Sequence, residues 1–373
     1  MAGAKQTKGH MEAQNMHLEK LQQSIHAAVH YLAGHQLPNG EFMTYIAPDD
    51  KMRQWCVPDS NTFIPALIGN CLMPLEASFP PITAMLDKTV AFLQYQMMRG
   101  GVWHFFPAWH PQFKRLPPDT DDTVTIAALL RKRKKLIFDN TPMLLANRTR
   151  NGLFYTWYTL HPTFIKFPRT YWRLILRELK HPLSTLLYWI KGDHKRNDVD
   201  AIVNANAIYY LGYNKTTEPV VRYLAAIIQN NKEAGSDKWY LNPLAYFYFI
   251  SRLYTIPGVP SILTNIKPLI IKKIINAIHN SAAFADCDLE MALALSALVN
   301  MDYKDPGYLA GLAAQLMEKQ QTAGNWERYI LGTHPKKIIG WGSEEATTAL
   351  AAEALYHYQL SLQNTMRENH EAV

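Results

Sequence analysis

In the run Pro118-Asp119-Thr120-Asp121-Asp122-Thr123, three carboxyl groups share four positions. Residues 124–130 follow, apolar on nearly every face, so the run reads as the start of a buried helix. Carboxyl groups crowded there do not all ionise. Like charges and loss of water raise at least one pKa and keep that acid neutral near pH 7. A neutral acid shielded from water can protonate a poor base. The same letters also suit a plain aspartate N-cap with solvated neighbours.

Other residues with chemistry to offer are scattered. Asp200 and Asn204 fall at i, i+4 on one face of a second apolar helix, where polar groups need partners. They are candidates either to bind a ligand or to knit helices together. Trp103, Phe105, Phe106, Trp109, Trp239, Tyr240 and Trp341 lie near the starts of such helices. Ring faces there could stabilise a passing cation, or simply wedge helix pairs together. His104 and His110 flank an aromatic loop without a third spaced ligand, and Cys56, Cys71 and Cys287 form neither a zinc pattern nor a disulfide framework. No metal site is expected.

The elements that must position these groups repeat along the chain. Leu18, Leu21, Ile25, Val29 and Leu32 mark one face of a helix, closed by the turn Gln36, Gly40, Phe42. A helix over 82–96 ends in Gly101, Val102 and Trp103. Asp305-Pro306 supplies an N-cap and a first-turn proline, and that helix closes on Gln320, Gly324 and Trp326. After each turn comes a helix that starts with small polar or acidic residues and continues apolar all round. Six such starts are legible, near 58–62, 118–123, 198–200, 242–243, 286–288 and 343–345. Amphipathic partners precede them near 17–33, 82–98, 170–190, 217–230, 263–279 and 305–320. The spacing predicts an all-α chain, a single (α/α)6 barrel of alternating outer and inner helices. It would span 16–362, between flexible ends at 1–15 and 363–373, with a basic aromatic insert at about 136–197.

That insert carries Phe164, Lys166, Phe167, Arg169, Tyr171, Trp172, Arg173, Arg177, Lys180, Tyr188 and Trp189, with Pro168 and Pro182 bracketing its middle. A basic amphipathic segment at 164–190 would lie on a bilayer surface or cap the barrel; an outer helix with a solvated basic face is the alternative.

The aspartate run after a G-x-W turn, with the repeated Q-x-x-x-G-x-aromatic turns, resembles the squalene–hopene cyclase and class II terpene cyclase superfamily. The likeness is specific at 118–123 and weaker at 36–42, 96–103 and 320–326. Those enzymes use a D-x-D-D motif whose middle aspartate is the general acid. The resemblance implies Asp121 as proton donor, flanked by Asp119 and Asp122, with Asn61 at the matching point of the preceding repeat. It also implies an isoprenoid substrate, with Trp103, Phe106, Trp109, Asp200, Asn204, Trp239 and Trp341 as the residues around it. One departure stands out. Family cyclases usually build the pocket between two barrels, and this chain has room for one. The pocket must be closed by the insert, by a second subunit in a homodimer, or not at all. The helices read here lack the metal-binding D-D-x-x-D motif of ionisation-initiated synthases, so no cofactor is expected unless the substrate is a diphosphate, which would bring Mg²⁺. Asp286, Cys287 and His357 compare with the zinc ligands of protein prenyltransferase β-subunits, but Asp286 and Cys287 are adjacent instead of spaced by one.

Composition narrows the classes. Apolar residues make up 48% of the chain and aromatics 12%, enough for a large core or a ring-lined pocket. A net charge of +7 with no basic stripe or known module excludes a nucleic-acid binder. Residues 1–15 lack an apolar signal core, and no apolar run reaches the roughly 18–20 residues a spanning helix needs. The expected place is the cytoplasm, with contact at the inner membrane face. Two other functions fit the scaffold: a non-catalytic isoprenoid or lipid-binding barrel, and a carbohydrate-active (α/α)6 enzyme with acids facing across an open groove.

Overall fold

A computed structural model describes residues 2–161, 167–178, 189–190, 195–240, 242–334, 336 and 339–371, with side chains between 15 and 368. Six helices touch in a closed cycle: α2 (Phe63–Leu72), α4 (Thr120–Lys132), α7 (Ala201–Leu211), α9 (Pro243–Ser251), α11 (Asp288–Asn300) and α13 (Glu344–Glu371). Each meets the next, and α13 returns to α2. Their composition explains their place. Every residue of α2 is buried, as is every residue of α9 after Pro243, which suits helices apolar on all sides.

A second set lies against the first: α1 (Ala2–His35), α3 (Pro81–Tyr95), α8 (Glu218–Gln229), α10 (Ser261–Asn280) and α12 (Pro306–Glu318). These bury one stripe each. In α8 the stripe is Val220, Val221, Leu224, Ala225, Ile227 and Ile228. Two further helices, α5 (Thr141–Ala146) and α6 (Arg169–Glu178), pack on each other within the insert. The third outer helix, expected over 170–190, is α6 as far as Glu178; Lys180, Pro182 and Tyr188 lie outside the described residues, as do Phe164 and Lys166. At the ends, α1 starts at Ala2 and α13 runs to Glu371, inside the segments expected to be flexible.

The turns are built alike. Gln36 Nε2 donates to Met85 O of α3 (2.9 Å), and Gln320 Nε2 donates to Ser24 O of α1 (2.9 Å). Each glutamine therefore ties its turn to the neighbouring outer helix. Gly40 and Gly324 stand at φ +94° and +97°, and a Cβ on either would meet a backbone oxygen of that helix, Lys88 O at 2.2 Å or Ala27 O at 2.4 Å. Only glycine fits both the left-handed backbone and the close approach. The indoles match too. Trp103 Nε1 donates to Leu93 O (2.8 Å) and Trp326 Nε1 to Leu316 O (2.7 Å), while their backbone N–H groups donate to Thr123 and Thr348 Oγ1 (3.1 Å each).

One expectation is corrected. The chain is mostly helical but not all-α, because a four-stranded antiparallel sheet runs in the order β2-β1-β4-β3. Strands β1 (Thr44–Ala47) and β2 (Val57–Asp59) come from the start of the chain; β3 (Ile330–Thr333) and β4 (Gly340–Gly342) come from near its end. Tyr45 pairs with Gly342 and Ile46 with Trp341. Strands of three or four residues leave no period-2 pattern to read, and their pairing joins segments far apart in sequence. Among the described residues, no helix is long and apolar enough to cross a membrane.

Candidate active site

The start of α4 is stitched down before its carboxyl groups are placed. Asp119 is the N-cap, in extended backbone, and its Oδ1 accepts from Asp122 N (2.8 Å). Asp119 N donates to Trp103 O (3.2 Å), and Thr120 N donates to Thr156 O (2.8 Å). Two loops thus grip the first turn, and the third residue, Asp121, projects into a cavity of about 520 Å³. Its carboxyl is fixed at both oxygens. Asn206 Nδ2 of α7 donates to Oδ1 (2.8 Å), and Tyr240 Oη donates to Oδ2 (2.7 Å).

Burial pushes the Asp121 pKa up, against the pull of the Asn206 and Tyr240 hydrogen bonds and the positive charge of Arg252. Asp119 and Asp122 form a coupled pair behind it. Burial raises Asp119 to about 7, countered by its hydrogen bonds with Asp122. Asp122 is held well above the carboxylate range, first by burial and then by the charge of Asp119. Two oxygens of neighbouring carboxyl groups share a proton more cheaply than they carry two charges. The arrangement therefore sets a carboxyl whose charged form is disfavoured by burial on the cavity, with a coupled carboxyl pair behind it.

The walls are rings and aliphatic groups. Phe63, Phe105, Phe106, Trp157, Trp239 and Trp341 line the cavity with Asp121. Trp239 stands edge-on to Trp157, with centroids 5.5 Å apart. The sheet closes one side through Ile46, Leu331 and Trp341. On that side Asp59 accepts from Trp341 Nε1 (2.7 Å) and pairs with His110 Nε2 (2.9 Å), and Phe106 stacks on the His110 ring (4.1 Å, 7°).

Of the residues expected around a substrate, the structure brings Asp119, Asp121, Asp122, Phe106, Trp239 and Trp341 to the cavity. The other five lie outside its lining. Trp103 is fully buried and bonded to Leu93 O. Asn61 is buried, and its Oδ1 accepts from Ile64 N (2.8 Å), capping α2. Asn204 pairs with the backbone of Phe154 through both its Oδ1 (2.9 Å) and its Nδ2 (3.0 Å). Trp109 is half exposed and leans on Phe92. Asp200 sits one layer behind the wall, where it accepts from Thr156 Oγ1 (2.6 Å) and Trp239 Nε1 (3.3 Å) and so orients two groups that do line it.

Sequence reasoning passed over Asp237 and the pairing of Asp59 with His110. Burial, then the charge of Asp200, lifts Asp237 to about 8, while its oxygens accept from the N–H groups of Ile202, Trp239 and Tyr240. It holds the turn that presents Trp239 and Tyr240. Among the described residues, no group of three or more His, Cys, Asp and Glu is placed to hold a metal ion.

No protein-family model matches the sequence, and no curated protein does. Solved structures match in fold. A protein from Actinoplanes is 17% identical, with a TM-score of 0.64 over 91% of this chain and 99% of its own. A variant of the type II terpene cyclase MstE from Scytonema, in complex with its substrate geranylgeranyl dihydroxybenzoate, is 14% identical, with a TM-score of 0.67 over 92% of this chain and 99% of that one. A second MstE variant, in complex with its product merosterolic acid A, is also 14% identical, with a TM-score of 0.64 over the same shares. The chain thus has a fold like that of type II terpene cyclases.

Proposed function

We propose that this chain is a class II cyclase of the squalene–hopene cyclase superfamily, built as a single (α/α)6 barrel with an added sheet, and that it cyclises a linear isoprenoid by protonation. The observation that carries the reading is the Asp121 carboxyl, gripped by Asn206 and Tyr240 on a ring-lined cavity and raised in pKa by burial. The closed cycle of inner helices and the fold likeness to type II terpene cyclases support it.

In this mechanism the O–H bond of Asp121 breaks and its proton goes to the less substituted carbon of the terminal alkene, leaving a tertiary cation, or to an epoxide oxygen. The electron pair left on Asp121 is stabilised by the amide of Asn206 and the hydroxyl of Tyr240. The cation formed draws electrons from the next double bond, so rings close in sequence. Aromatic faces along the wall stabilise the moving charge, and the apolar wall keeps water from ending it early. Loss of one proton ends the sequence, so substrate and product have equal mass.

The lining gives a hint about the far end of the substrate. Among the described lining residues there is no Lys or Arg to grip a diphosphate. A hydrocarbon or a prenylated aromatic head fits it better, and MstE takes a substrate of the latter kind. A carbohydrate enzyme would need a polar groove, whereas these walls are mostly apolar. A pure carrier would have no chemical use for a buried acid, whose desolvation costs stability.

The test is incubation of the protein with C15 to C30 isoprenoids, free, diphosphorylated and joined to dihydroxybenzoate. Mass spectrometry should find a product of unchanged mass and altered retention. Conversion of none of them would remove the enzyme assignment and leave the carrier. With a converted substrate in hand, the rate should fall as the pH rises through about 7, where Asp119 sits. Below that value the Asp119–Asp122 pair keeps its proton; above it the pair gains negative charge beside Asp121. That charge opposes ionisation of Asp121, which makes it a weaker acid and slows proton delivery. A flat profile between pH 6 and pH 8 would be at odds with the pairing, since roughly one pKa unit either side of the transition covers most of the change.

A further inference from the structure

We propose that α6 is a docking helix for a bilayer surface rich in anionic lipid, and that it sets the cavity beside that surface. The inner face of α6 is anchored. Tyr171, Leu174 and Ile175 are buried, and Tyr171 Oη donates to Asn147 Oδ1 and Thr159 O (2.9 Å each). The outer face is unlike an ordinary solvated one. Trp172 is 46% exposed and Leu176 59%, and Arg169, Arg173 and Arg177 are exposed beside them. Among the described residues, Arg169 and Arg173 have no carboxylate partner, and no described side chain on this face is acidic. Arg177 lies over the Phe113 ring at 5.4 Å.

This pattern names its occupant by charge. A protein partner of ordinary acidity could meet three arginines, but an anionic leaflet meets them while also taking an indole and an aliphatic side chain at headgroup depth. Arginine stems lie along the apolar boundary and keep their charged ends among phosphates.

The helix also sits in a useful place. Its contacts with Phe113 and Thr159 tie it to the 104–116 and 154–161 segments. Those segments give His110, Gln112, Leu116, Thr156 and Trp157 to the cavity lining. They also expose Trp109 (52%) and Leu160 (50%). A docked α6 would bring these apolar groups, and the cavity between them, to the lipid from which an isoprenoid would be drawn. Only this last step rests on the cyclase reading; docking itself is measured without substrate.

The experiment is co-sedimentation of the full chain with vesicles of phosphatidylcholine and phosphatidylglycerol in equal parts, against vesicles of phosphatidylcholine alone. The expected result is binding about tenfold tighter to the mixed vesicles, falling as salt is raised. Arg169→Glu with Arg173→Glu should remove the preference for anionic lipid. Trp172→Glu with Leu176→Glu should remove binding to both kinds of vesicle. All these sites are exposed, so circular dichroism and the melting temperature should be unchanged. Failure to bind either vesicle, or equal binding by wild type and both variants, would overturn the proposal. So would a concentration-dependent dimer in sedimentation that Leu176→Glu dissolves, which would make the face a contact between copies. Asp121→Asn should bind vesicles as wild type does. A chain that binds but cyclises nothing would keep the docking helix and lose the cyclase.

Discussion

Asp121→Asn is expected to leave a folded protein whose cyclisation rate is at least about a thousandfold lower, within the range set by removal of a positioned general acid. The substitution changes little except the acidic proton. An amide at this position keeps an oxygen to accept from Asn206 Nδ2 and offers an N–H to Tyr240 Oη, so both contacts at Asp121 can persist. Its N–H is too weak an acid to protonate an alkene. Because burial disfavours the charged carboxyl, a neutral amide suits the same site, and the cost in stability should stay at about 1 kcal/mol. Rates come from product formation by mass spectrometry, and folding from circular dichroism and the melting temperature. Undiminished turnover would remove Asp121 from the role. Lost turnover with an equally lost melting transition would say only that the site holds the fold.

How far the sequence reaches this site is seen best in the two asparagines of α7. Asp200 and Asn204, at i, i+4, read either as a ligand-binding pair or as ties between helices, since polar groups on an apolar helix ask for partners. The partners lie in neighbouring loops, the backbone of Phe154 for Asn204 and Thr156 and Trp239 for Asp200. Asn206, two residues on, faces about 200° round the helix from Asn204 and meets Asp121 instead. Nothing local tells one asparagine from the other, because the choice is made by a helix 85 residues earlier. Tyr240 is hidden in the same way, 119 residues from the acid it holds. What the letters do carry is local: the Asp119 cap of α4, the Asp305 cap of α12 that accepts from Tyr308 N (2.9 Å), and the glycine turns that let outer helices touch. Tryptophans mislead, because the same side chain serves two ends. Trp103 and Trp326 spend their N–H groups on the helix ten residues back, while Trp239 and Trp341 turn theirs to Asp200 and Asp59 and face the cavity.

A second large effect is expected far from any substrate. Arg252 follows α9 in the chain and is only 6% exposed, with its guanidinium 3.9 Å from the centre of the Tyr209 ring. Glu353 of α13 is 7% exposed and accepts from Tyr248 Oη at 2.6 Å. Its charge is one of those that favour the charged form of Arg252. Arg252→Met removes the buried cation from the faces of Tyr209, Tyr248 and Phe249, a loss of about 2 kcal/mol for a desolvated cation–π contact. Denaturant unfolding should show it. Adding Glu353→Leu removes an acid that faces the guanidinium at longer range, and the double variant should recover part of the loss if the two side chains are coupled. Activity should not recover with it. The positive charge of Arg252 also helps hold down the pKa of Asp121, so both variants should protonate substrate severalfold more slowly than wild type, even where the double variant regains stability. A double variant that regains stability and full rate would assign Arg252 to the scaffold alone.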